Sequence, residues 1–290
     1  MTSKIQKYDF KSGLPQEFEI INIAKLFAEF SEEMLVPHRA DFYQILWFQD
    51  SSPTHLVDFN PIKTGTNTLL FINKGSVQIF DKNKDFKGKL ILFTDDFFCK
   101  SDSDTTFLRS TILFNDLLSI SQININDSPA IFGDIVKNLE TELAKPNDTY
   151  QSDILRNLLH NFLLHAERER RKQNFVEIKK DVELEYAILL KDSLELNFVS
   201  HKNVGFYANQ IAITPKRLNQ ATSKVFGKTP KELIDERVLL ECKRLLVHTK
   251  ESIKEISFSL GFEEPTNFIK YFRKHTTKTP VEFREEFISA

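Results

Sequence analysis

An internal repeat near the carboxyl end constrains this chain more than any other feature. Lys228-Thr229-Pro230-Lys231-Glu232-Leu233 returns fifty residues later as Lys278-Thr279-Pro280-Val281-Glu282-Phe283. Thr followed by Pro starts a helix, because the hydroxyl accepts an orphan N–H and Pro lacks a donor where none is needed. Ile234, Val238, Cys242, Leu245 and Leu246 then fall at helical spacing. The first copy therefore opens one amphipathic helix of about twenty residues, roughly 30 Å long. The segments ahead of the two copies, Ile211–Leu218 and Leu260–Phe268, also correspond. Each reads as a short helix, a tight turn and a second helix. The expectation is two helix-turn-helix units joined by a rigid helix.

Bulk properties narrow the rest. A chain of 290 residues can hold two domains. No run of about twenty residues is free of charge, and the N-terminus lacks a basic-then-apolar leader pattern, so a cytoplasmic protein with no membrane partner is expected. Cys99 and Cys242 are far apart and read as buried thiols, which excludes a disulfide scaffold or a thiolate zinc site. Net charge is −2, but it is unevenly shared. Residues 200–290 carry 16 Lys and Arg against 11 Asp and Glu, a balance of +5, which leaves −7 for residues 1–199. Attraction to phosphate follows the local face, so the basic C-terminal part is the one suited to nucleic acid.

Along the chain, residues 1–36 are weakly patterned. From Asp41 to about Thr94 short runs such as Phe42–Phe48, His55–Phe59, Thr68–Ile72, Val77–Phe80 and Leu90–Phe93 alternate with turn signals at Ser52-Pro53, Asn60-Pro61, Asn73–Gly75 and Lys87-Gly88. Short strands without intervening helices predict a small antiparallel barrel or sandwich, whose mouth can hold a small ligand. Ser128-Pro129 then begins a helix, and Asp153–Lys172 a second with an apolar stripe through Leu155, Leu158, Leu159, Phe162, Leu163 and Ala166. That stripe needs a partner, either the barrel or a second copy of the chain, with Leu155, Leu159 and Phe162 as the candidate dimer contacts. The predicted architecture is multidomain α+β. A barrel-like domain occupies 1–127, a helical pair 128–172, a linker 173–183 and an all-α domain 184–290.

The candidate nucleic-acid readers lie on the second helix of each unit. In the first, Leu218, Ala221, Thr222 and Val225 point inward, which turns Lys216, Asn219, Gln220 and Ser223 outward, with Arg217 and Lys224 beside them. Asn and Gln pair bidentately with adenine, and Lys reaches guanine acceptors or phosphate. In the second, Phe268, Tyr271 and Phe272 face inward and Gly261 sits where the turn needs a positive φ. Thr266, Ile269, Lys270 and Arg273 face outward with Asn267 at the edge. Ile269 suits a thymine methyl, whereas Lys270, Arg273 and Lys274 suit phosphate.

At these residues the chain resembles the AraC/XylS family of bacterial transcription regulators. The matching skeleton is Tyr207-Ala208, Thr214-Pro215 with Leu218, Gly227–Pro230, Arg237 with Leu245-Leu246, Ser252-Ile253 with Glu255-Ile256, Leu260-Gly261-Phe262, Asn267-Phe268 with Phe272–Lys274, and Thr279-Pro280 with Phe283-Arg284. It covers about a hundred residues and implies an all-α DNA-binding domain that regulates transcription at promoters. Two positions depart from the family pattern: Ser257 replaces a usual Ala, and Thr277 replaces a Gly. The N-terminal part, through Pro37–Ile45, resembles the cupin-type sensor that many members carry. Its family histidines are absent at Ala40 and around Lys74–Val77, so His38 and His55 do not make a metal site. An organic effector gripped by His38, Tyr43, Trp47 and Phe59 is expected instead, with no cofactor. The expected partners are double-stranded DNA, that effector, a second copy of the chain and RNA polymerase. A metal-dependent cupin enzyme and a non-specific architectural DNA binder are the competing readings.

Overall fold

The computed structural model describes residues 5–50, 53–81, 87–114, 120–173 and 181–289. The chain divides into two units, the first spanning residues 6–177 and the second built from residue 178 onward. The turn expected at Ser52-Pro53 lies partly, and the linker expected at 173–183 mostly, outside the described residues.

In chain order the first unit runs β1 (Gln6–Tyr8), β2 (Phe18–Asn22), α1 (Ile23–Met34), β3 (His38–Ala40), β4 (Tyr43–Phe48), β5 (Thr54–Val57), β6 (Asn60–Lys63) and β7 (Thr68–Ile72). It continues through β8 (Gln78–Ile79), β9 (Gly88–Phe93), α2 (Asp95–Phe98), α3 (Asp102–Ser110), β10 (Gln122–Asn124), α4 (Pro129–Leu143) and α5 (Gln151–Lys172). The strands make two five-stranded sheets, an outer one in the order β1-β3-β8-β5-β6 and a central one in the order β10-β7-β4-β9-β2. Neither closes on itself, so the expected barrel is an open pair of sheets. The physical reason lies in β4 and β7. Every residue of Tyr43–Phe48 and of Thr68–Ile72 is buried. A strand with one wet face alternates apolar and polar, while a strand covered on both faces reads as a continuous apolar run.

The two faces of the central sheet sort by residue parity, as the pleat requires. Leu46, Phe48, Leu70, Ile72, Leu90 and Leu92 face the outer sheet and share a core with Ala40, Val57, Phe80 and the apolar side of α1. Tyr43, Ile45, Trp47, Leu69, Phe71, Ile91 and Phe93 face the helices and share a core with Phe132, Leu139, Leu155, Leu159 and Phe162. The helical pair is thus the third layer of this unit. Of the two partners expected for the stripe, the sheet is the one found: Leu155, Leu159 and Phe162 are each 0% exposed within the chain, which corrects their assignment as dimer contacts. Their apolar surface is already covered by β-sheet.

The second unit is all helical: α6 (Val182–Asn197), α7 (Val204–Gln210), α8 (Pro215–Phe226), α9 (Pro230–His248), α10 (Ile253–Ser259), α11 (Pro265–Thr276) and α12 (Pro280–Ser289). The rigid helix expected from the repeat is α9, and α7, α8, α10, α11 and α12 all pack against it. Its Ile234, Val238, Cys242 and Leu246 are fully buried, the three aliphatic side chains each contributing about 1.5–3 kcal/mol of apolar burial. It is not simply amphipathic, since Asp235, Glu241, Arg244 and His248 are buried as well. A helix enclosed from several sides must pair its polar groups rather than expose them. Arg244 Nη1 donates to Glu241 at 2.9 Å, and Arg237 Nε donates to Glu195 of α6 at 2.8 and 2.9 Å.

Replacing Phe162 by Ala is expected to lower the unfolding free energy of the full chain by about 3–5 kcal/mol in urea denaturation, the cost of a cavity in a packed core. Unchanged stability with a shift to a smaller sedimenting species would instead return Phe162 to a subunit interface.

Candidate nucleic-acid interface

The sequence repeat is also a geometric repeat. Thr229 and Glu232 form a capping box at the start of α9, the Thr229 hydroxyl accepting from Glu232 N–H at 3.2 Å and the Glu232 carboxylate accepting from Thr229 N–H at 2.7 Å. Thr279 and Glu282 repeat both bonds at the same distances before α12. Lys228 pairs with Glu236, and Lys278 with Glu286. Each reading helix begins with Pro at its first turn. Thr214 caps α8 by accepting from Arg217 N–H at 3.2 Å, whereas Glu264 stands ahead of α11 and accepts from the Thr266 hydroxyl at 3.1 Å.

Each unit also needs two residues in the left-handed region, one in its turn and one just past its reading helix. The first uses Ala212 (φ 57°) and Gly227 (φ 66°); the second uses Gly261 (φ 72°) and Thr277 (φ 65°). Glycine is indispensable only at Gly261. A β-carbon there would lie 2.2 Å from the Val199 carbonyl oxygen. Thr277 makes the turn without glycine, as its departure from the family pattern requires. A left-handed β-branched residue costs roughly 1–2 kcal/mol. Ser257, the other departure, is 0% exposed and its hydroxyl has no hydrogen-bond partner among the described residues.

Polar clamps fix the two units on their shared helix. Tyr271 OH on α11 donates to Asp235 Oδ1 of α9 at 2.9 Å. Burial, followed by the neighbouring carboxylate, pushes this phenol well above its ordinary pKa. Lys202 Nζ, just beyond α6, donates to the carbonyls of Val199 and Leu260, both at 2.7 Å, and sits 4.8 Å from the centre of the Phe262 ring. Burial lowers its pKa. The end of α6 is thereby tied to the turn of the second unit. Arg284 of α12 donates to the carbonyls of Leu246 and Glu251 at 2.9 and 2.6 Å, closing the far end of α9.

With the helices held this way, Leu218, Ala221, Thr222 and Val225 are buried on α8, and Lys216, Asn219, Gln220 and Ser223 are exposed along one stripe. On α11, Phe268 and Phe272 are buried, Thr266, Asn267, Lys270, Arg273 and Lys274 are exposed, and Ile269 is half-buried. The two faces differ in chemistry: α8 offers two amides, a hydroxyl and one cation, while α11 offers three cations. Arg217 and Lys224 stand apart from the α8 stripe. Arg217 Nη2 lies 2.9 Å from Glu183 of α6, and its guanidinium lies 5.6 Å from the centre of the Tyr186 ring. Lys224 Nζ lies 2.7 Å from Asp181 and 3.5 Å from Glu183. The Lys224 ammonium lowers the Asp181 pKa, and Asp181 raises that of Lys224. Neither carboxylate was legible as part of this face, because only the packing of α6 on α8 brings them there.

The four expected effector residues do not converge on one site. Tyr43 and Trp47 lie under the helical layer, where Tyr43 stacks on Phe93 at 5.1 Å and donates its hydroxyl to Asp95 at 3.1 Å. His38 is buried on the other side of the central sheet, its Nδ1 2.9 Å from the Val36 carbonyl. Phe59 is half-buried in the turn between β5 and β6. Between the sheets runs a polar ladder that the sequence did not announce. His55 Nε2 donates to Gln78 Oε1 at 3.0 Å, and Gln78 Nε2 donates to Gln44 Oε1 at 2.8 Å. Full burial lowers the His55 pKa to about 4, so this imidazole is neutral near pH 7.

Two helix-turn-helix units mounted on one central helix define the class of the second unit, a tandem helix-turn-helix domain. Residues 207–286 match the family model described as a helix-turn-helix domain. The lactose operon transcription activator of Staphylococcus xylosus is 25% identical over 177 residues, which span 58% of this chain and 62% of that protein. The HTH-type transcriptional activator RhaS of Pectobacterium carotovorum subsp. carotovorum (strain PC1) is 21% identical over 260 residues, covering 87% of this chain and 88% of that one. Among solved structures, ToxT from Vibrio cholerae is 13% identical and covers 93% of this chain and 94% of its own, with a TM-score of 0.44. Residues 207–286 of this chain therefore form a helix-turn-helix domain of the kind that family model describes.

Thr277→Gly and Ser257→Ala, the two changes that restore the family residues, are each expected to raise unfolding free energy by about 1 kcal/mol in urea denaturation. A loss of stability from either would contradict the strain assigned to Thr277 or the orphaned hydroxyl assigned to Ser257.

Proposed function

We propose that this chain is a sequence-specific DNA-binding regulator of transcription, with α8 and α11 entering successive major grooves on one side of the duplex. The observation that carries this reading is the exposed stripe of Lys216, Asn219, Gln220 and Ser223 on a helix whose Leu218, Ala221, Thr222 and Val225 are buried, with Thr266, Ile269, Lys270 and Arg273 at the equivalent positions of α11. At 1.5 Å per residue, α9 spans roughly 28 Å between the two units, close to the 34 Å that separates major grooves on one face. Asn219 and Gln220 supply the donor–acceptor pairs that read base edges, and the cations of α11 supply phosphate affinity that ignores sequence. Both relatives named above are transcription activators. A small organic effector bound by the first unit, a second copy of the chain and RNA polymerase complete the partners of such a regulator.

The test uses the full chain and sites selected from a random duplex library, with binding followed by fluorescence anisotropy across a salt series. Gln220→Ala is expected to cost about 1–3 kcal/mol on selected sites and to relax preference at one base position. Lys274→Ala is expected to weaken all duplexes alike and to flatten the salt slope by about one. A selection that yields no preferred sequence would overturn the reading. Equal, sequence-blind losses from both variants would remove Gln220 as a base reader.

A further inference from the structure

The two cations nearest the α8 reading stripe are engaged before any DNA arrives. Asp181 is the N-cap of α6, its carboxylate accepting from Leu184 N–H at 3.2 Å while also pairing with Lys224. Glu183, two residues on, bridges Arg217 and Lys224. The carboxylates are the better-covered partners: the side chains of Asp181 and Glu183 are 19% and 16% exposed, those of Lys224 and Arg217 55% and 38%. Partial shielding from water strengthens such pairs relative to open surface ion pairs. The cations of α11 differ. Among the described residues no ion pair engages Lys270, Arg273 or Lys274.

This asymmetry has a consequence for recognition. Each cation that neutralises a phosphate adds affinity without regard to sequence and steepens the dependence on salt by about 0.9. A reading helix flanked by two free cations would grip any duplex. One whose flanking cations are already paired depends on its amides, and so on the bases they meet. Resting on the DNA-binding reading above, we propose that Asp181 and Glu183 are specificity-determining residues of the interface. By holding Arg217 and Lys224 in ion pairs on the α6 side of α8, they withhold two cations from phosphate and leave recognition by this helix to Asn219 and Gln220.

The test compares the full-length wild type with Asp181→Asn/Glu183→Gln. Asn remains a good N-cap and Gln keeps the volume of Glu, so α6 retains its start and its packing. On a short duplex of random sequence the double variant is expected to bind at least about tenfold more tightly at low salt, with a salt slope steeper by up to about 1.8. Its preference for the library-selected site over the random duplex is expected to fall by a similar factor. Adding Arg217→Gln and Lys224→Gln to the double variant is expected to reverse both effects. Glu183→Gln alone, which leaves the cap intact, is expected to show about half the change in slope and serves where the double variant melts early. Unchanged affinity and slope in folded variants, or a gain that survives removal of both cations, would overturn the proposal. A wild type that discriminates between the two duplexes beside variants that behave identically refutes only this inference; a wild type that does not discriminate refutes the sequence-specific reading itself.

Discussion

The second unit depends on one helix being buried from several sides at once. An exposed helix can leave its polar residues to water; α9 cannot, and so Asp235, Glu241 and Arg244 each carry specific partners. Removing one partner from a buried charged contact costs more than the contact contributes, which makes these pairs strict about geometry. The Tyr271–Asp235 bond therefore does more than hold α11 close. It fixes the helix rotation that turns Lys270 and Arg273 outward. Lys202 does the corresponding work at the turn of the second unit, where Gly261 lets the Val199 carbonyl approach.

The two units obey the same backbone rule with different residues. Both need a left-handed residue in the turn and another past the reading helix, and each places glycine at only one of the two. Crowding decides where glycine is required. Gly261 faces a carbonyl, while a β-carbon at Gly227 would meet nothing within 4 Å. Thr277, equivalent to Gly227, therefore has room for its side chain and carries only the conformational cost. A repeat can lose its glycine wherever the surroundings are open.

The all-α part was largely legible in the sequence because its signals are local. Thr-Pro helix starts, helical spacing and the KTP repeat set the bounds of α7–α12 closely, and the four buried residues of α8 were those expected. The first unit was less legible. The apolar runs of β4 and β7 were read as strands, correctly, but a run buried on both faces carries no inside-outside contrast, so it could not decide between a barrel and a sandwich, or whether the helical stripe covers the sheet or a second copy of the chain. The same lack of contrast scattered Tyr43, Trp47, His38 and Phe59 over different faces. Helix α1 was missed although Ile23 and Phe27 sit at helical spacing, because its exposed side includes Phe30, which blurs the stripe. The acidic pair at Asp181 and Glu183 lies some forty residues from Lys224 along the chain; no local pattern links them.

The account rests on α7 through α11 behaving as a single rigid body around α9. Native-state hydrogen exchange tests this most directly, because cooperative units reveal themselves by a shared opening free energy. Amides at the centres of α8, α9 and α11 are expected to exchange with one common value that falls in parallel as urea is added. If the α8 and α11 amides open at clearly different free energies, one reader moves without the other and the rigid-body account is wrong.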